Sequence, residues 1–181
     1  AEALCQAGLK RLNISLDGLR EETFERIARR PGLDQVLEGI AVAKQLGFEK
    51  IRLNAVAIAG ISEEEIVPLG RFAREQQLEL RFIEFMPLDA EGNWQREQVL
   101  EGNLIRQQLE DAFGPLLPAD RHDRSQPAVD YLFADGKGMI GFINPVSEPF
   151  CGDCNRLRVT AEGQFRNCLF SHQEWDVREL M

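Results

Sequence analysis

The sequence predicts an α/β protein whose first part alternates strands with helices and whose second part is a smaller α+β region with antiparallel hairpins. Three observations predict it. Short runs alternating polar and apolar residues recur at 11–16 (RLNISL), 51–58 (IRLNAVAI) and 79–86 (ELRFIEFM). Between them, apolar residues return at helical spacing. From residue 87 the chain changes character, and its later apolar runs flank turn signals. Strands separated by helices pair in parallel through right-handed crossovers, which gives a barrel or an open sheet.

Residues 1–10 open in a helix-like stretch that holds Cys5, read as a packing thiol. In the first strand Leu12, Ile14 and Leu16 share one side, and Asn13 and Ser15 the other, with Asp17 just beyond. Phe24, Ile27 and Ala28 mark a helix over 20–29; Val36, Leu37, Ile40 and Ala43 mark another over 34–47, before Gly47. In 51–58, Ile51, Leu53 and Ala55 oppose Arg52 and Asn54. Ser62 and Glu65 have the spacing of a capping box, opening a helix with Ile66, Leu69, Phe72 and Ala73 inward. A closed barrel interior is filled with branched apolar residues, so a polar face on each strand predicts a wide, wet lumen that holds a ligand. Crossover helices over the outer face argue against simple solvent exposure.

The stretch 87–103 (PLDAEGNWQREQVLEGN) divides the chain into units 1–90 and 91–181. Residues 104–113 read as a short helix and 115–127 (PLLPADRHDRSQP) as a Pro-rich connection, with His122 on the surface. Val129, Tyr131 and Phe133 lead to Asp135 and Gly136, and Met139, Ile140, Phe142 and Ile143 return as an antiparallel hairpin.

The chain of 181 residues, 44% hydrophobic, is long enough to bury a core. Lys and Arg number 21 against 30 Asp and Glu, and the net charge of -9 excludes a general nucleic-acid binder. No apolar run approaches the roughly 20 residues that cross a bilayer. AEALCQAGLK carries no export signal, so the expectation is a soluble, cytoplasmic protein without membrane partners. A start at Ala1 and a stop at Met181 within a helix-like stretch suggest a fragment.

Cys151, Cys154 and Cys168 form a C-x2-C-x13-C set. A disulfide, a Cys3His structural zinc completed by His172, and an iron-sulfur cluster held by three thiolates with one open iron all suit that spacing. The segment FCGDCNRLRVTAEGQFRNCLF has the pattern of a hairpin turning near Ala161 and Glu162, which places Cys154 close to Cys168. Alternation then puts Cys154, Arg156 and Arg158 on one face, with successive members about 6 to 7 Å apart. Arginine forks beside an open metal suit a phosphorylated ligand, since each presents paired donors to phosphate oxygens. Residues 150–170 set Arg156, Arg158 and Arg166 against Asp153 and Glu162, a small positive island in an acidic chain.

On FCGDCNRLRVTAEGQFRNCLF, RLNISLDGL and RFIEFMPLD, the chain from about Lys10 to Met181 resembles the GTP 3′,8-cyclases, the radical S-adenosylmethionine enzymes also called molybdenum cofactor biosynthesis protein A. The resemblance implies the C-terminal half of a partial (βα)6 TIM-like barrel followed by an auxiliary-cluster region. It implies 5′-deoxyadenosyl radical removal of the 3′ hydrogen of GTP and ring closure to (8S)-3′,8-cyclo-7,8-dihydroguanosine 5′-triphosphate, a step of molybdenum cofactor biosynthesis. Cys151, Cys154 and Cys168 match ligands of an auxiliary 4Fe-4S cluster, and Arg156 and Arg158 match GTP-binding arginines. Ser15 and Met86 match S-adenosylmethionine contacts, and Arg52 matches a GTP contact usually held by Lys. The implied partners are GTP, S-adenosylmethionine, an electron donor, a second copy in a homodimer, and a downstream cyclic pyranopterin monophosphate synthase. The family's C-x3-C-x2-C motif, which holds a second 4Fe-4S cluster, belongs upstream of Ala1, so this chain alone is expected to be inactive. A zinc-stabilised binding module and another radical enzyme with an auxiliary cluster and a peptide substrate are the alternatives; a neutral peptide offers two arginines no phosphate to grip.

Overall fold

The alternation read at 11–16, 51–58 and 79–86 becomes the parallel strands β1 (Arg11–Ser15), β2 (Lys50–Ala57) and β3 (Glu79–Glu84) in a computed structural model that describes residues 1–88, 92–121, 123–176 and 178. β4 (Leu116–Pro118), β5 (Val129–Phe133) and β6 (Met139–Ile143) continue the same sheet, in the order β1-β2-β3-β6-β5-β4. β6 lies parallel to β3, and β5 and β4 follow antiparallel. The result is a mixed α/β fold dominated by a parallel sheet, with a separate antiparallel sheet of β7 (Arg158–Val159), β8 (Gln164–Arg166) and β9 (Trp175–Asp176).

Helices α1 (Glu2–Gln6), α2 (Glu21–Ala28), α3 (Leu33–Gln45), α4 (Ile66–Gln76) and α5 (Gly102–Phe113) supply the other layer. Ile51, Leu53, Ala55 and Ala57 are buried at every second position of β2 and join Leu80, Phe82, Ile140 and Phe142 in one core. Ile40 and Ala43 of α3, Ile66, Leu69 and Ala73 of α4, and Ile105 and Leu109 of α5 complete it, so these helices cover the apolar face alone. Burial of each such large side chain contributes about 1.5–3 kcal/mol. Close packing of α4 on α5 requires Gly70, where a Cβ would stand 2.6 Å from Leu109 Cδ2. Asn13, Ser15, Arg52, Asn54, Glu79, Arg81, Ile83, Met139, Gly141 and Ile143 occupy the opposite, predominantly polar face, as strand alternation and the pairing register dictate. β1 is an edge strand in this sheet, and Leu12 and Ile14 are only half-buried.

Several local expectations change. The Ser62 side chain makes no cap: its Oγ accepts from Ile58 N–H at 3.0 Å, and a short 3-10 turn, Glu63–Glu65, precedes α4. Glu65 turns instead to the loop after β1, accepting from Leu19 N–H and Arg20 Nε, both at 2.7 Å. Burial raises its carboxyl, and the bonds from Arg20, Leu19 and Thr23 more than offset that and leave it below its ordinary value. β3 ends at Glu84, so Met86 lies beyond the strand. The Pro-rich connection contains an edge strand, β4, where Pro118 sits as the lack of a ladder N–H allows. Trp175 and Asp176, within the supposed C-terminal helix-like stretch, form a strand. His122 and Met181 lie outside the described residues. Among the described residues no helix is long and apolar enough to cross a membrane.

Candidate functional site

A cavity of about 240 Å³ opens where the parallel strands β3 and β6 end. Ile83 and Ile143, neighbours across that strand pair, form part of its wall, with Met86, Pro145, Pro149 and Phe150 from the chain just beyond the strand ends. Cys151, Cys154 and Cys168, together with Arg156 and Arg158, also line it, with Pro127, Leu169 and Phe170. The cysteine trio and the arginine pair, drawn from the sequence as one constellation, therefore do share one cavity.

The expected hairpin forms, but it is shorter than the alternation suggested and its register differs. Cys151–Asp153 is a single 3-10 turn, residues 154–157 are irregular, and the strand is confined to Arg158–Val159. Arg158 pairs with Arg166 and Val159 with Phe165, a register that, continued, sets Cys168 opposite Arg156 and not Cys154. The turn closes between Thr160 and Gln164, through Gly163 N–H to Thr160 O and Thr160 N–H to Gln164 O. Gly163 takes φ 79° there, a left-handed conformation that a Cβ disfavours, and this shifts the expected turn toward it.

Arg156 is the centre of the cluster's electrostatics. Its backbone N–H and guanidinium both donate to Cys154 Sγ, the latter at 3.5 Å, and with the nearby charge of Arg158 they hold the thiol below its ordinary value. The same guanidinium lies 4.9 Å from the ring centre of Phe150, a cation–π contact that keeps it over the cavity wall. Arg158 Nη1 is buried without a hydrogen-bond partner. A buried, unmatched guanidinium N–H is costly, and an anionic group is the strongest kind of acceptor for it. Arg166, by contrast, is taken by Glu174.

The donor set, three thiols, is of the soft kind that suits zinc or iron-sulfur centres alike. All three thiols are free, Cys151 exposed and the other two half-buried, and Cys154 is biased toward the thiolate that binds metals. Among the described residues, no three His, Cys, Asp or Glu side chains stand close enough together to hold a single metal ion. His172, the fourth ligand of the zinc alternative, is exposed and is not part of the cavity lining. The disulfide alternative is not formed.

The other expected residues lie elsewhere. Ser15 is exposed at the end of β1, apart from the cysteine-lined cavity. Arg52 lines a second cavity of about 540 Å³ toward the start of the parallel strands, with Arg11, Asn13, Lys50, Arg81 and Asp130. Its Nε bonds Glu79 Oε2 at 2.9 Å and its Nη1 bonds Asn13 Oδ1 at 3.3 Å. The two cavities adjoin along the polar face, because Arg81 lines one and Ile83, two residues on, lines the other. Sequence reasoning passed over Arg81, which is buried, bonds Asp130 at 3.3 Å and leaves its Nε unpartnered. Gly141 makes room for that pair, since a Cβ there would stand 2.4 Å from Asp130 Oδ1. The strand pattern ELRFIE already set Arg81 on the polar face, which was the available signal. Asn54 Oδ1, Arg81 Nε, Asp130 Oδ1 and Arg158 Nη1 are the buried side-chain atoms left unpartnered among the described residues. The first three belong to the polar face and the fourth to the cysteine-lined cavity.

The Molybdenum Cofactor Synthesis C family model matches residues 78–181, and the Radical SAM superfamily model matches residues 1–73. A GTP 3′,8-cyclase of Rhodopirellula baltica is 54% identical over the whole chain, which covers 51% of that relative. A GTP 3′,8-cyclase of Thermodesulfovibrio yellowstonii is 39% identical, again over the whole chain and 56% of the relative. One of Alkaliphilus metalliredigens is 40% identical over 97% of the chain and 53% of the relative. The chain thus spans about half the length of these curated relatives.

Proposed function

Since this chain belongs to the Molybdenum Cofactor Synthesis C family, we propose that it carries the nucleotide-holding part of a GTP 3′,8-cyclase. The observation that carries the reading is the partnerless buried Arg158 Nη1 in a cavity shared with three free thiols. In this reading residues 1–90 are the last part of a partial (βα)6 barrel and 91–181 the auxiliary-cluster region, with the helix-covered parallel sheet as support.

Cys151, Cys154 and Cys168 would hold a 4Fe-4S cluster, which supplies an open iron as a Lewis acid toward a nitrogen or oxygen of the purine. A single ion gathers its ligands about one centre, whereas a cluster takes each thiolate at a different iron. Arg158 offers its free Nη1 to the nucleotide's phosphates, and Arg156, steadied by Phe150, stands beside it. Ile83, Ile143, Pro145 and Pro149 exclude water from the base. Arg52 pairs in register with Glu79, four residues before Ile83, or about 13 Å along the strand. An extended nucleoside triphosphate is long enough to bring Arg52 and a ligand held at the cysteines into one site. Ser15 and Met86 would contact S-adenosylmethionine, whose 5′-deoxyadenosyl radical would take the 3′ hydrogen of GTP to start cyclisation to the 3′,8-cyclo product. An electron donor, a second copy in a homodimer and a downstream cyclic pyranopterin monophosphate synthase complete the proposed partners.

Anaerobic reconstitution with iron and sulfide, followed by metal analysis and GTP binding, tests this. The expected result is a brown protein absorbing near 400 nm that binds GTP, with both properties lost in Cys168→Ala. A colourless protein holding one zinc, lost in His172→Ala, would overturn the reading in favour of a zinc module; displacement of GTP by a peptide would favour a different radical enzyme.

A further inference from the structure

The last residue of β3, Glu84, is 1% exposed, and its carboxylate reaches the turn that follows β6. Oε2 accepts from the backbone N–H groups of Val146 and Ser147, both at 2.9 Å, and Oε1 accepts from the Ser147 hydroxyl. A carboxylate taken out of water is tolerated only when its oxygens are matched in this way, and charge-assisted bonds to backbone N–H are among the strong ones. The bonds tie two segments separated by 62 residues in sequence.

Both segments build the cavity. Two residues after Glu84 comes Met86, and around the clamped turn come Pro145, Pro149, Phe150 and Cys151, all cavity-lining. The turn has its own local brace, Glu148 N–H to Asn144 O at 3.0 Å, so it is a preformed unit held to the sheet from outside. Phe150 then carries the Arg156 guanidinium against its ring, and Arg156 contacts Cys154. A continuous line of contacts therefore runs from a buried carboxylate in the sheet to the arginine and thiol of the site.

We infer that Glu84 is a positioning residue: it clamps the turn at 145–148 to the end of β3 and thereby sets Phe150 and Arg156 over the cysteine-lined cavity. The link to nucleotide binding rests on the function proposed above, whereas the clamp itself does not. Glu84→Gln keeps the side chain's size but removes the charge. The amide oxygen still accepts from the two backbone N–H groups and the NH2 can donate to the Ser147 hydroxyl, so the loss is the charge assistance of the bonds to Val146 and Ser147 N–H. Ser147→Ala removes the hydroxyl alone and serves if Glu84→Gln fails to fold.

Hydrogen–deuterium exchange on the metal-free and the iron-sulfide-reconstituted protein, paired with GTP titration, decides the matter. In Glu84→Gln the amides of 145–151 should exchange about tenfold faster or more, with those of β2 and the first residues of β3 unchanged, and the GTP dissociation constant should rise about tenfold. Ser147→Ala should shift both readouts the same way by less. Unchanged exchange at 145–151 in these variants overturns the inference. Faster exchange throughout the sheet assigns Glu84 to general packing and overturns it equally. Local loosening with unaltered GTP affinity breaks the link between clamp and site. A wild-type protein that binds no GTP overturns the proposed substrate, and the exchange result then judges the clamp by itself.

Discussion

The six-stranded sheet and the three-stranded ribbon of β7, β8 and β9 are held together in different ways. In the sheet, Leu80, Phe82 and Ile140 are sealed beneath helices, and apolar burial specifies the register because a slip of one residue would turn every side chain over. After Phe142 no described residue is buried, and Leu157 and Val159 in the ribbon are 59% and 61% exposed. The ribbon keeps its shape through a few backbone bonds, the Arg166–Glu174 pair and the contacts of Arg156. A region with so little apolar burial sits at the low-stability end of a domain, and a ligand that bridges its residues can order it. The difference teaches that the sheet is specified by its own apolar burial, while the ribbon has little of it and rests on a few polar contacts.

That contrast can be broken or sharpened by substitution. Phe82→Ala in the sheet should cost about 3–5 kcal/mol in urea unfolding and melt both regions together; loss confined to the ribbon would invert the comparison. Arg158→Ala should weaken GTP binding about 10- to 100-fold, from the loss of about 1.5–3 kcal/mol of charge-assisted bonding, while the unfolding midpoint stays put. An equal loss of stability would make Arg158 a structural residue instead.

Glu65→Gln tests a buried acid of the scaffold that reaches the loop after β1, and should cost about 1–3 kcal/mol at neutral pH, read from denaturant unfolding. Its carboxyl lies below the ordinary value of 4.5, so the folded state binds that proton more weakly than the unfolded chain. The stabilisation is therefore full above that ordinary value and fades as the pH falls through the depressed one. Glu65→Gln should remove this part of the acid sensitivity, and parallel pH profiles for the two proteins would contradict the sign. Leu157→Ser, on the ribbon, should change unfolding free energy by no more than about 0.5 kcal/mol.

Most of the sheet was legible because period-2 and period-3.6 patterns are local signals of which face is buried. Ile51, Leu53 and Ala55 against Arg52 and Asn54 came out as read, as did the inward face of α4. The Ser62–Glu65 pair was misread because two arrangements compete for the same carboxylate, and the long-range donors Leu19 N–H and Arg20 won over a local cap. β4 was missed because a three-residue edge strand with a Pro carries almost no pattern. Around the cavity, the grouping of thiols with arginines was legible and the backbone geometry was not. Cys151, Cys154, Cys168, Arg156 and Arg158 share a cavity as expected, although only two residue pairs connect β7 to β8.

The amino-acid order by itself determined the alternating strand faces, the helical stripes that cover one of them, and the grouping of thiols with arginines, since each depends on neighbours within a few positions. Tertiary structure alone decided that Met86 stands with the cysteines, that Arg52 lies in the adjoining cavity with Arg81, and that Glu84 grips the turn before Phe150. Those relations join residues brought together only by parallel crossovers, and the hydrogen bonds that secure them are selected by what the fold places within reach once water has been excluded.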